Sequence, residues 1–107
     1  MNKYRDKSDL EINKAVAVNI NGTDAVLEKF GRIYISDGDR GAMVSFSPCN
    51  NPADAMPIIN EYGISLIYQE REFQFATNDG NIECSISNPL KAAMIIFLMM
   101  KDAENES

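Results

Sequence analysis

From Ala92 to Met100 every side chain is apolar. Asn88 and Pro89 stand just ahead as cap and first helical residue, so the run reads as a helix. A helix that is apolar all round must be covered all round. In a small fold a sheet covers only one side, and the other needs a second helix or a second subunit. Fully burying each large side chain is worth ~1.5–3 kcal/mol, so leaving several in water is a substantial loss. Ile95, Leu98 and Met99, with Lys91 on the first turn, are therefore the candidate interaction residues.

The same start signal occurs earlier. Asn51 is a good cap, Pro52 suits the first helical position, and Asp54 complements the positive helix start. Pro57 removes a backbone donor and predicts a kink, or a split into two short turns. Met56, Ile59 and Tyr62 fall on one side of this helix. Gly63 suits the left-handed position that ends it, with Ile64 closing the cap. A first helix opens at Ser8-Asp9-Leu10-Glu11, whose spacing is that of a capping box. It runs to about Val18, with Leu10, Ile12, Ala15 and Val16 as its apolar side. A turn then covers Asn19 to Asp24.

Between the helices the chain reads as strand. Ala25–Phe30 is ambiguous and leans to strand, because Gly31 and Arg32–Ser36 continue with β-type residues. Asp37–Gly41 is a hairpin connection, and Met43–Ser47 the return strand. Three strands follow the second helix: Ile64–Gln69, Glu72–Thr77 and Ile82–Ser87. Phe73 and Phe75 share one face and Gln74 takes the other. Ile82, Cys84 and Ile86 point inward, Glu83 and Ser85 outward. The order is helix, two strands, helix, three strands, helix. This is an α+β fold with its helices on one face of an antiparallel sheet. Residues 1–107 form a single domain, and the polar ends 1–7 and 102–107 are expected to fray.

Composition excludes several functions. No histidine occurs in the 107 residues, which removes Ser-His-Asp and Cys-His nucleophile systems and histidine-held metals. Two cysteines, Cys49 and Cys84, cannot build a four-thiolate site. The net charge of −6 repels phosphate backbones and anionic membranes. The first residues lack a signal-peptide core, and no apolar run reaches the ~20 residues that cross a bilayer. A cytoplasmic setting with reduced thiols is expected.

The remaining candidates each have a structural reading. Cys49 precedes a helix start, where amides and dipole favour a thiolate; without a histidine base it reads as a small residue at the helix entrance. Cys84 alternates with Ile82 and Ile86 as core. Asp37 and Asp39 lack the ligand series of a calcium loop and read as a hairpin tip. Glu70 and Glu72 around Arg71 read as exposed turn charge. The last helix lacks the basic face of a membrane-surface helix. Lys91 opposes the dipole at its helix start and can hold a phosphate there, or cover apolar neighbours with its stem. No cofactor, metal or catalytic residue is expected.

Three blocks carry a family resemblance: Ser8–Ala17, Pro48–Ile59 with Tyr62–Ile67, and Asn88–Met100. In this order they resemble the bacteriophage and prophage family called NinX. The resemblance implies a phage accessory product in a bacterial cytoplasm, and transfers no active site. From Pro52 onward the order helix, three strands, helix also resembles double-stranded RNA-binding domains. Those carry a lysine-rich start on the last helix, where this chain has Lys91 alone. The expected function is non-catalytic protein–protein contact, with a homodimer through the last helix. The alternative is a nucleic-acid-binding factor using Lys91 with Lys3, Arg5 and Lys7.

Overall fold

The computed structural model describes residues 3–36 and 41–106. It contains α1 (Asp9–Asn21), β1 (Val26–Lys29), β2 (Arg32–Ser36), β3 (Met43–Ser45), α2 (Pro52–Tyr62), β4 (Ile64–Gln69), β5 (Glu72–Asn78), β6 (Ile82–Cys84) and α3 (Pro89–Glu106). The fold is α+β, with two three-stranded antiparallel sheets, ordered β1-β2-β3 and β4-β5-β6. The stretch 25–36 is not one strand. It turns back at Phe30–Gly31, and Val26 to Lys29 pair with Ile35 to Arg32. Both turn residues have positive φ, 53° and 72°, the geometry of a tight two-residue hairpin. Of the connection expected at Asp37–Gly41, residues 37–40 lie outside the described residues.

Local signals placed the helix ends. Ser8 Oγ accepts from the Glu11 amide at 3.1 Å and Glu11 Oε1 from the Ser8 amide at 3.0 Å, which completes the capping box. α1 runs to Asn21 rather than Val18. The side chains of Asn19 and Asn21 donate back one turn, to the Ala15 and Ala17 carbonyls, instead of stopping the helix. Gly22, at φ 84° and ψ 154°, ends it in a conformation open to glycine. Asn51 accepts from the Ala53 amide, and Gly63 is left-handed at φ 64° and donates to the Ile59 carbonyl. α2 passes through Pro57 without splitting. Pro57 and Ala53, whose carbonyl loses its donor, are both exposed, so solvent can meet that carbonyl. The buried side of α2 is Ala55, Ile58 and Ile59; Met56 faces out.

The layers run first sheet, α1, α3, second sheet, with α2 against α3 and β4. Ala92 to Leu98 are all buried. The cover that α3 demands is therefore internal: α1 and α2 take the sides the second sheet leaves open. The edge-to-face pair of Tyr62 with Phe97, 5.0 Å between ring centroids, is part of that cover. α1 lies between a sheet and a helix, so its buried stripe is wide: Ile12, Asn13, Val16 and Ala17.

Two further expectations change. A bulge between Ile67 and Tyr68 pairs Ile67 with Phe75 but Tyr68 with Phe73. Successive residues on β4 point to opposite sides, so the two phenylalanines do too, and Phe73 is the one packed on the core. The third strand of this sheet ends at Cys84, leaving Ser85 and Ile86 beyond it. Near the two ends of the described residues the chain makes contacts of its own. Tyr4 is buried and its hydroxyl donates to Asp102 at 2.5 Å, joined by an ion pair from Lys3. Helix α3 continues to Glu106.

Candidate functional site

The three sequence blocks meet at one polar junction. Asn13, on the buried stripe of α1, has its Oδ1 accepting the Cys49 amide at 2.9 Å. Its Nδ2 donates to Ser47 Oγ at 3.3 Å. Asp54, in the first turn of α2, accepts the Ser47 amide at 2.9 Å. Asn88 caps α3 through Oδ1, which accepts from the Leu90 and Lys91 amides. Its Nδ2 donates to the Cys49 carbonyl at 2.8 Å. The backbone at Cys49 is thus clamped on both sides, by one amide side chain from α1 and one from α3.

Lys91 closes the junction. Its side chain is only 16% exposed, with Nζ 3.1 Å from Asp9 Oδ1 and donating to the Lys7 carbonyl at 2.7 Å. The cation at the start of α3 is held inside the chain and is not presented to a phosphate. Cys49 is fully buried. Burial, reinforced by the Asp9 carboxylate, pushes its thiol up to about 12, against the opposing pull of Lys91. A thiol so protonated is a poor nucleophile. Cys84 is buried as well, in the core where the alternation of its strand placed it.

The other expected residues are dispersed. Ile95 and Leu98 are fully buried, and Met99 is half-buried against the core. The apolar surface of Ile95 and Leu98 is covered within this chain. Glu70, Arg71 and Glu72 sit at an exposed hairpin whose two turn residues have positive φ. Asp37 and Asp39 lie outside the described residues. Among the described residues no three His, Cys, Asp or Glu side chains gather as a metal site.

Beside the junction a cleft of about 340 Å³ opens at the end of the first sheet. Asp9, Asn13, Arg32, Ser45, Ser47 and Asn50 supply its polar lining. Ser47 Oγ accepts from Asn13 and its amide donates to Asp54. These contacts hold the loop. The cleft can hydrogen-bond and pair charge.

The first sheet has one covered and one open face. Val26, Glu28, Ile33 and Ile35 share the α1 side, where Lys14 Nζ pairs with Glu28 at 3.1 Å. Register puts Leu27, Lys29, Arg32, Tyr34, Ser36, Met43 and Ser45 on the other side. Leu27 and Met43 are 44% and 42% exposed, and Phe30 at the hairpin tip is 89% exposed. Lys29 stands directly opposite Arg32, with its Nζ 5.3 Å from the Phe30 ring centroid. Among the described residues no acidic side chain occupies this open face.

The sequence profile of the family described as Bacteriophage P22, NinX matches residues 3–101. This chain belongs to the NinX family. Membership makes it a phage accessory protein, and the matched span contains the polar junction, the cleft and the first sheet. Comparisons with curated proteins and with solved structures return no match. No helix among the described residues is long and apolar enough to cross a membrane.

Sequence reasoning about this NinX-family chain missed Asn13 and Phe30. Asn13 had a signal: it lies between Ile12 and Val16 on the stripe that α1 buries, and a buried amide must have partners. Phe30 had one also. Phe-Gly between two β-type runs with flanking cations marks a two-residue hairpin, and its tip side chain has no core to enter.

Proposed function

We propose that this NinX-family protein acts without catalysis, by binding another protein through the open face of its first sheet. The observation that carries this reading is the gathering of exposed large apolar side chains there: Leu27 and Met43 on the face, with Phe30 at the hairpin tip beside them. Clustered exposed apolar surface marks contact sites more often than scattered residues do. The side chains that sequence offered for chemistry support the same view. Cys49 is protonated and sealed, and Lys91 is paired.

Affinity capture from phage-infected host cells tests it, with the wild type beside a Leu27→Ser/Met43→Ser variant. Both positions are exposed, so the variant keeps its fold by circular dichroism. One protein retained by the wild type and lost by the variant is the expected result. Capture of no specific protein, or equal capture by both forms, refutes it. Light scattering on the same samples distinguishes a different protein from a second copy.

A further inference from the structure

The hairpin tip Lys29-Phe30-Gly31-Arg32 makes several locally unfavourable choices in four residues. Phe30 takes φ 53°, a left-handed conformation that suits glycine or asparagine and costs a side chain such as phenylalanine ~1–2 kcal/mol. Its ring is almost wholly in water. Lys29 and Arg32 face each other across the ladder, where like charges repel. Neither forms an ion pair among the described residues, though the chain as a whole carries −6. The corresponding tip of the second sheet is also strained at Glu70 and Arg71. Its charges are of both signs, and it puts no aromatic residue in the turn.

Local rules broken together, offset among the described residues by the exposed contact of Lys29 with the Phe30 ring, mark a surface kept for something outside it. The chemistry of the tip defines that partner. An exposed aromatic ring flanked by guanidinium and ammonium is the composition of an interface anchor, in which aromatics and arginine dominate. The ring needs an apolar pocket, and the two cations need carboxylates at its rim. Arg32 and Gly31 also line the polar cleft, so an acidic side chain reaching past the ring meets Arg32 there. Two cations are few for a polyanion approaching a chain of net charge −6, which favours a protein over nucleic acid.

We infer that Phe30 is the anchor of the NinX-family contact, seated in an apolar pocket of a partner protein whose rim carries aspartate or glutamate. This rests on the protein-contact reading above. Photocrosslinking in infected host cells tests it, with p-benzoylphenylalanine placed at Phe30 or at Met43. The expected result is a crosslink from position 30 to one other protein, mapped to a segment with acidic residues beside apolar ones. Lys29→Glu/Arg32→Glu added to that chain should lower the yield at least tenfold. A crosslink to nucleic acid or to a second copy overturns the inference, as does a yield indifferent to charge reversal. Protein crosslinks from position 43 but not 30 leave the sheet reading standing and remove the anchor. No protein crosslink from either position removes both.

Discussion

Replacing Asn13 by leucine isolates what the polar junction contributes. The two side chains are similar in size, and leucine is the better helix former by a few tenths of a kcal/mol. Packing and propensity therefore favour the variant on a helix stripe that already buries Ile12, Val16 and Ala17. The hydrogen bonds oppose it. The Cys49 amide is buried and donates to Asn13 Oδ1, and an orphaned buried donor costs about 1–3 kcal/mol. The longer bond to Ser47 Oγ adds ~0.5–1 kcal/mol. The net loss is about 2 kcal/mol. For a chain of this length that lowers the melting temperature by about 9 °C, taking ~2.1 cal/mol/K of unfolding entropy per residue. Asn19→Leu is the control. It sits on the same helix with an exposed side chain, and its stability should stay within about 0.5 kcal/mol of wild type. Urea unfolding and thermal melts of the three proteins give the answer. If Asn13→Leu matches Asn19→Leu, the amide at Cys49 does not depend on Asn13, and the clamp described at the junction is wrong.

Other substitutions probe the core, the thiol and the hairpin tip. Ile95→Ala removes a fully buried side chain from α3 and should lose about 2–5 kcal/mol in urea unfolding; a loss under ~1 kcal/mol would contradict the central place of α3. Cys49 should resist thiol reagents in the native state at mildly alkaline pH and react only on unfolding. Its thiol ionises near 9 when unfolded and about 12 when folded, so between those values the unfolded chain releases a proton that the folded chain keeps. Stability should then fall as pH rises, by ~1.4 kcal/mol per unit from this group, and Cys49→Ala should show a correspondingly shallower pH slope. Phe30→Asn relieves the left-handed strain and should raise stability by about 0.5–1 kcal/mol while weakening partner capture; a destabilised variant would show that the ring supports the fold.

The family resemblance across three separated blocks is legible in the sequence itself, and the profile match covers them all. The blocks do not say that they touch. Asn13 to Cys49 and Cys49 to Asn88 are contacts across 36 and 39 residues. Sequence offers Cys49 as a residue beside a helix start, where a low thiol pKa is the ordinary expectation. Folding buries it and sets Asp9 nearby, and the shift runs the other way.

What the chain determined by itself is its punctuation. Ser8 with Glu11, Asn51 with Pro52, Gly63, and Asn88 with Pro89 each complete bonds within four residues, so no distant segment is needed to set them. Tertiary structure decided the sides. α3 is apolar all round in any context, yet only packing shows that α1, α2 and the second sheet cover it. A bulge, a choice between paired strands, put Phe73 inward and Phe75 on the opposite side. Phe30 was left outside because a hairpin tip has nothing beyond it. Apolar surface specifies that it must be covered but not by what, since burial is proportional to area and has no direction.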